Sequence, residues 1–393
     1  MTGMLGCASA YEVELVFVQT RNAAGQLLPA PVQWSQGPLQ GVTRVQWGRV
    51  INGVSEAVVT IGGPAGVGIC CDQVEAIQPE MYEIRIHREG ELVWEGPIVD
   101  DVETSQGQPY LIHARDVLTW FEPEDGRPNL VNISYDDQDP TLIARRIIER
   151  NLTDEWATPP DYPMVLDHLH IEPVGVEVDY KPGLRVDFII NMLQELTDFG
   201  LVYTAYCRSI MLIKGADLTT PVIAQITQED IDAPVEITQA GQEMGTIGIA
   251  VRPAADNEDP PALFFYGSKN SAYRPHYRVV DVATNVKNST ASRAARQAIK
   301  GRTVPPLVVS MAGGGRLFPT APIQINEIIP GWTRVDFMTS GRGSQGICTQ
   351  LRQPMQFSSL SVDWVPGQET VSVAMVPVGE PTDVDPIEGL TNG

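Results

Sequence analysis

Tyr82-Glu83-Ile84-Arg85-Ile86-His87-Arg88-Glu89-Gly90-Glu91-Leu92-Val93-Trp94-Glu95-Gly96-Pro97-Ile98-Val99 reads as two strands joined at a tight Glu-Gly turn and closed by a Gly-Pro corner of fixed shape. Apolar residues alternate on the first arm (Tyr82, Ile84, Ile86) and on the second (Leu92, Trp94), so each arm has one face to bury and one to leave wet. Gly90 supplies the positive φ that such a turn needs, because a residue without Cβ enters that region at no steric cost. Tyr110 to Asp116 adds another strand, and Val117-Leu118-Thr119-Trp120-Phe121 follows as a short apolar cap over a barrel end. The segment looks built for assembly rather than catalysis.

Tyr11 to Val18 alternates in the same way, and Val45 to Ile61 gives two short strands about Asn52-Gly53, a strong turn dipeptide. Residues 10 to 125 therefore predict a small barrel or sandwich. Gly62 to Gly68 lacks the Gly-Lys-Ser/Thr ending of a phosphate loop and opens onto no helix pattern, so it is a loop. After Pro123 the pattern changes period. Asp139 as N-cap, Pro140 at the first helical position and apolar residues at 143, 144, 147 and 148 predict a helix. Ile189, Met192, Leu193 and Leu196 mark the buried face of a second helix that ends at Gly200. Leu201 to Tyr206 and Ser209 to Ile213 follow as a hairpin, which completes an α/β domain. From about residue 219 strands return, with Thr246 to Arg252 and Arg278 to Val282 as candidates, and one helix capped at Ser289 or Thr290 and stopped at Gly301. The last residues, Val378 to Gly393, carry no basic side chain and read as an extended acidic tail.

The phrase formed by Arg88, Gly90, Leu92-Val93-Trp94-Glu95-Gly96-Pro97-Ile98 and then Ile112, Ala114-Arg115-Asp116, Leu118 and Trp120 resembles the minor tail proteins of long-tailed phages that infect actinobacteria. That family is similar to the tail hub proteins of contractile phages. Trp47, Arg49, Asn52, Ser55, Ala57, Val59 and Ile61 match its early element. Ile328-Ile329-Pro330-Gly331-Trp332-Thr333-Arg334-Val335 resembles a segment of its last barrel, and Glu369 to Pro377 its closing strand. The resemblance spans roughly residues 10 to 378 and implies a mainly β fold with an α+β insert. Its parts would be an N-terminal β-barrel hub domain (1–125), an α/β domain outside the ring (126–218), a second β-barrel domain with one helix (219–378) and the tail (379–393).

Composition limits the alternatives. With 393 residues, 43% apolar and 19% charged, the chain exceeds a single ordinary core. It has no run of 18 uncharged apolar residues, and Met1 to Cys7 lacks a charged n-region, so neither membrane spanning nor secretion is expected. The five cysteines (7, 70, 71, 207, 348) form no Cys-x-x-Cys pair and read as buried thiols in a reducing compartment. A formal charge of −22, from 27 basic and 49 acidic residues, argues against a nucleic-acid groove.

Neither Gly-x-Ser-x-Gly nor His-Glu-x-x-His occurs. His168 and His170 share one strand face near Asp179, where two imidazoles could hold a metal, although alternating histidines are common on exposed strands. His87, His113 and His276 form no triad. The pairs Asp100-Asp101, Asp136-Asp137 and Asp154-Glu155 read as solvated surface, not as a glycosidase dyad. Seven tryptophans (34, 47, 94, 120, 156, 332, 364) could stack sugars, but strand-like alternation favours burial in a core or at a subunit contact. Gly313-Gly314-Gly315-Arg316 reads as a solvent-exposed connection, with a flexible loop lining the lumen or a mobile tip meeting a neighbouring protein as the sharper alternatives. No catalytic, cofactor or metal residue is assigned.

The resemblance implies a structural, non-enzymatic virion protein of the tail tip, folded in the host cytoplasm. It would form a homotrimeric ring, with a hexamer as the variant, that closes or adapts the end of the tail tube. Its partners would be the distal tail protein, the C-terminus of the tape-measure protein and further minor tail proteins. DNA would only pass through, and an acidic lumen would not hold its phosphates. The rival is a receptor- or carbohydrate-binding tail protein that meets the host envelope.

Overall fold

The computed structural model describes residues 5–21, 27–62, 74–75, 77–79, 81–102, 109–123, 128–129, 133–153, 169–183, 187–239, 244–254, 260–267, 274–282, 288–299, 307–311, 314–339, 351–378 and 382–383. The N-terminal part contributes β1 (Tyr11–Arg21), β2 (Leu27–Pro38), β3 (Val42–Val50), β4 (Glu56–Ile61), β5 (Tyr82–Arg88), β6 (Glu91–Val102) and β7 (Tyr110–Arg115). The middle holds β8 (Pro128–Asn129), β9 (Ile133–Gln138), helix α1 (Pro140–Thr153), β10 (Leu169–Ile171), β11 (Val178–Gly183), β12 (Asp187–Phe188), helix α2 (Ile189–Thr197), β13 (Leu201–Tyr206) and β14 (Ser209–Lys214). Then come β15 (Val222–Thr227), β16 (Ile231–Asp232), β17 (Val235–Gln239), β18 (Ile247–Arg252), β19 (Ala262–Gly267), β20 (Tyr277–Asp281) and helix α3 (Asn288–Gln297). The chain closes with β21 (Leu307–Met311), β22 (Gly315–Leu317), β23 (Arg334–Met338), β24 (Leu351–Val365), β25 (Gln368–Pro377) and β26 (Thr382–Asp383).

The quoted hairpin is β5 and β6, and its turn places Glu89 at φ 52° and Gly90 at φ 83°, the doubly left-handed geometry of a tight hairpin. The Gly-Pro corner is where β6 changes partner. Residues up to Pro97 pair with β5, and Ile98 onward pairs with β7. A second strand turns a corner in the same way: β24 pairs with β23 through Gln356 and with β3 from Ser359, across a bulge after Phe357. Strands that switch partners at a bend are how two sheet layers are joined at an angle.

The mainly β expectation holds, but the two strand-rich segments meet in one hydrogen-bonded system. Among the described residues a single 14-stranded sheet runs β16-β22-β25-β24-β3-β4-β7-β6-β5-β1-β2, with β23 and β26 also on β24 and β15 on β23, and no closed barrel is formed. The join is β3 on β24, antiparallel from Val50 opposite Ser359 to Val45 opposite Trp364. One apolar core serves both segments, with Trp47, Ile84 and Trp94 packed in the same cluster as Phe337, Phe357 and Leu360. Burial of this kind, at about 25 cal/mol per Å², is the main driving force for the fold.

The α/β unit has its own core of Ile143, Ile147, Met192, Leu193, Leu196 and Leu212 with their neighbours. Both helices form where the periodicity places them, and α2 buries the four predicted residues. Asp139 accepts hydrogen bonds from the backbone N of Thr141 and, across the loop, from Val174 and Gly175. The 3-10 helix Val117–Phe121 belongs to this second core rather than capping a barrel end, because its buried side chains pack with the α1 and α2 residues.

Two turns latch the α/β unit to the sheet. Asn52, at φ 54°, donates its N–H to the Tyr203 carbonyl while its side-chain oxygen accepts from the Tyr203 N–H. Gly331, at φ 77°, lies where a Cβ would stand 2.5 Å from Val202 Cγ1. A third latch is Asp116, whose buried carboxylate accepts from Ser55 N (2.6 Å), Ser55 Oγ (2.5 Å) and Leu118 N (2.9 Å). Burial pushes this carboxyl up to about 6, against the downward pull of those hydrogen bonds. A carboxyl whose folded pKa lies above its unfolded value stabilises the fold fully below the unfolded pKa and loses that contribution as pH rises through the folded one. Asp116→Asn is therefore expected to gain on the wild type by roughly 1–3 kcal/mol between pH 4 and pH 7, read from urea midpoints across that range. A pH-independent difference between the two proteins would show that Asp116 does not titrate there.

The third unit is small: β18 at the centre, antiparallel to β19 and parallel to β20, with α3 across one face. Ala291 and Ala295 of α3 sit on Ala250, and a Cβ on Gly248 would lie 1.9 Å from the Ala295 carbonyl oxygen, so the helix crosses directly over that glycine. The helix begins at Asn288, which puts the expected caps Ser289 and Thr290 in its first turn.

Candidate assembly surfaces

The hairpin's second face is not wet. Ile84, Ile86 and Trp94 enter the shared core, while Glu83 and Glu95 on the opposite side are only 2% and 4% exposed. The β13–β14 turn covers them: Arg208 reaches the Glu83 carboxylate and lies 3.9 Å from Glu95, which also accepts from Arg85 Nε at 2.9 Å. Arg85 in turn donates to the Gln33 side chain of β2 at 2.6 Å. Burial pushes the Glu83 carboxyl above its ordinary range, and the Arg208 charge opposes that shift. Cys207 precedes Arg208 in the turn at φ 51°, and burial pushes its thiol up to about 11.

At the hairpin tip Arg88 makes a bidentate pair with Glu369 of β25 (2.8 and 2.9 Å), and Tyr11 donates to the same carboxylate at 2.7 Å. Burial alone would raise Glu369, but the hydrogen bonds of Arg88 and Tyr11 and the Arg88 charge outweigh it and hold the carboxyl low. Arg49 is wholly interior. Its Nη1 donates to the carbonyls of Ile325 (3.3 Å) and Ile328 (3.1 Å), its Nη2 to Val93 (2.7 Å), and its charge lies 5.2 Å from the Trp47 ring and 4.3 Å from the Tyr206 ring. Sequence alternation marks none of these as buried charges, since their partners come from other strands or turns of the chain, and Arg49 Nε and one Glu83 oxygen stay buried without a hydrogen bond.

The remaining candidates are separated. His170 lies exposed on β10 with its ring edge on Trp332, and His168 is outside the described residues. Asp179 accepts from the Asp137 N–H at 3.0 Å, and Asp136 pairs with Lys181 at 2.5 Å. Asp101 accepts from the Tyr110 hydroxyl. His87 faces Glu14 at 3.5 Å, and the backbone of His276 donates to Thr246. Among the tryptophans 47, 94, 120 and 364 are buried as expected, Trp156 falls outside the described residues and Trp34 is 44% exposed. Cys7 is exposed, contrary to expectation, in a segment that instead buries Leu5 and Ala8 on either side of it; Cys70, Cys71, Cys348 and Gly313 fall outside the described residues. Asp154, Glu155 and nearly all of the acidic tail do so too. A cleft of about 270 Å³ lies between Trp332, Ile223 and the Lys214–Asp217 ion pair, where Asp217 also accepts from the Thr219 hydroxyl.

Among the described residues, two sheet surfaces present exposed apolar side chains in regular array. Trp34 of β2 stacks on Phe17 at 5.7 Å, and Phe17 meets Tyr82 at 5.1 Å, an aromatic ladder that runs out along the edge strand β2. The other is the face of the β19-β18-β20 sheet away from α3. The sequence signal for it was the alternation of Leu263 with Phe265 and of Tyr277 with Val279, which marks an apolar face without saying what covers it.

No family model matches the chain, and no curated protein sequence does. Solved structures do. The tail protein from Neisseria meningitidis MC58 aligns over 93% of this chain and 96% of its own, with 12% identity and a TM-score of 0.53. The 43 kDa tail protein of prophage MuSo2 from Shewanella oneidensis aligns over 93% and 98%, with 12% identity and a TM-score of 0.55. This chain shares the fold of these two tail proteins along nearly its whole length.

Proposed function

We propose that the chain is a structural, non-enzymatic hub of a phage tail tip, three copies of which form a ring at the distal end of the tail tube. The observation that carries the reading is the near end-to-end fold shared with two tail proteins. In such a ring the sheet built jointly from residues 1–125 and 219–378 forms the wall, and the α/β unit at 126–218 sits outside it. A net charge of −22 suits a passage through which DNA slides without being held. The distal tail protein, the tape-measure C-terminus and further minor tail proteins are its partners, and the long edge strand β2 is one place where a neighbour satisfies unpaired backbone. A density map of intact tail tips is expected to hold three copies below the last tube ring. Its placement elsewhere in the particle, or in other numbers, would sink the proposal.

One observation favours the rival, an envelope- or carbohydrate-binding tail protein: the exposed stack of Trp34 on Phe17. Retention of the purified chain on isolated host envelope, lost in Trp34→Ala, would select that reading instead.

A further inference from the structure

Among the described residues β15 has β23 as its only strand partner, so one edge of its backbone lies open. Its last residue shows which edge. The Thr227 N–H points to the Asp230 carboxylate at 2.9 Å rather than to β23, and that turn closes the C-terminal end of the strand. By the two-residue period of a strand, Gln225 presents its N–H and C=O on the same open side. A row of this kind is a template for another extended backbone.

The start of the same strand borders the cleft at Trp332, which Pro221 and Ile223 line. Its rim is tied down. Arg334 Nη1 donates to the carbonyls of Asp217 (3.3 Å), Leu218 (2.7 Å) and Thr220 (2.9 Å), and the Asp217 carboxylate accepts from the Thr219 N–H at 2.7 Å. The loop so fixed leaves Leu218, Val222 and Ile223 59%, 40% and 46% exposed beside one another. Charge is the third element. Lys214 is engaged by Asp217, Arg334 by those carbonyls and Arg352 by Asp336. Glu172 also lines the cleft, exposed, and among the described residues its carboxylate has neither a hydrogen bond nor an ion pair. From Gly215 to Val251 the chain carries six acidic side chains and no basic one.

We propose that β15 accepts an added strand from a partner protein, an extended segment with a lysine or arginine whose side chain enters the cleft against Trp332 and Glu172. Open backbone selects an extended polypeptide, because N–H and C=O groups at strand spacing are matched by another strand. The uncompensated carboxylate selects a cation, and the acidic run around β15 attracts a basic segment while repelling a second copy at −22. The edge is short, six residues from Val222 to Thr227, so its backbone bonds are few and the cleft side chain supplies the specificity. A rim already fixed by Arg334 has little freedom left to lose on binding. The site does not depend on three copies forming a ring.

Fluorescence anisotropy of the full chain with a labelled peptide, valines alternating with lysine and arginine, tests it. At low salt this probe is expected to saturate the chain about 10-fold more tightly than its glutamate counterpart, an advantage that shrinks at about 0.5 M salt. N-methylating the probe's alternate amides along one edge is expected to weaken binding about 10-fold, and along the other edge to leave it unchanged, as strand pairing requires. Gln225→Pro, which removes the open N–H, is expected to weaken binding about 10-fold, and Glu172→Gln about 3-fold at low salt only. Circular dichroism checks that each variant is folded, and Glu172→Gln, at an exposed side chain, keeps the test alive if Gln225→Pro is not. A probe that does not bind overturns the site. Equal binding of the two methylated probes, or undiminished binding to every folded variant, overturns strand addition at β15. Self-association of the chain that unlabelled probe abolishes would make a second copy the occupant and overturn the basic partner.

Discussion

Gly96→Ala is expected to abolish folding of the N-terminal strands, at a cost of about 4 kcal/mol or more, although it adds a single methyl group. Gly96 stands at the point where β6 leaves β5 and joins β7, and an ideal Cβ there would lie 2.0 Å from the Arg115 carbonyl oxygen and 2.8 Å from Trp94 Cη2. Neither neighbour can yield cheaply. The oxygen is backbone of β7, and Trp94 is 2% exposed in the shared core. Relief would require β6 and β7 to move apart by more than 1 Å, a shift that a close-packed interior resists. Gly90 is the control: its φ is 83°, but a Cβ there meets nothing within 4 Å, so Gly90→Ala is expected to cost only about 1 kcal/mol of backbone strain. Soluble yield and thermal unfolding of the two variants separate the cases. A Gly96→Ala protein as stable as Gly90→Ala would show that the crossing is not close.

The second large effect concerns Arg49. Replacing it by alanine is expected to destabilise the protein by about 3–5 kcal/mol, because the carbonyls of Val93, Ile325 and Ile328 lose their donors inside the core and a cavity is left. Methionine should cost distinctly less, about 1–3 kcal/mol, since it fills much of the space and removes the desolvation penalty of the buried charge. That penalty is visible in the guanidinium itself, which burial pulls below the ordinary arginine value. Urea denaturation of both variants gives the ordering. An Arg49→Met protein more stable than wild type would mean that the charge is retained for something other than stability. Because Tyr206 lies over the same guanidinium, limited proteolysis of Arg49→Ala is expected to cut first at the junction with the α/β unit.

Local chemistry made much of this fold legible. The Glu89-Gly90 turn, the Asp139 cap, the α2 stripe from Ile189 to Leu196 and the hairpin of β13 and β14 each depend on residues within about one or two turns of each other, and each appears where the pattern puts it. What was not legible depends on distant partners. Nothing in Val45-Gln46-Trp47 announces that β24 will lie beside it, and alternation in β5 shows which side chains are apolar but not that Arg208 will cover Glu83. The open sheet face shows the same limit in reverse: its alternation looks like that of any core strand, and only the structure shows it uncovered.

The pairing of β3 with β24 sets a problem of timing. Val50 leaves the ribosome about three hundred residues before Ser359, the residue that will lie opposite it. At roughly 5–20 residues per second, the nascent N-terminal strands spend about 15–60 s with one long flank bare. During synthesis in a crowded cell, neighbouring polysomes carrying the same unfinished chain offer that flank the wrong partner, so slower translation or a holdase that masks β3 should decide how much correctly paired protein is made.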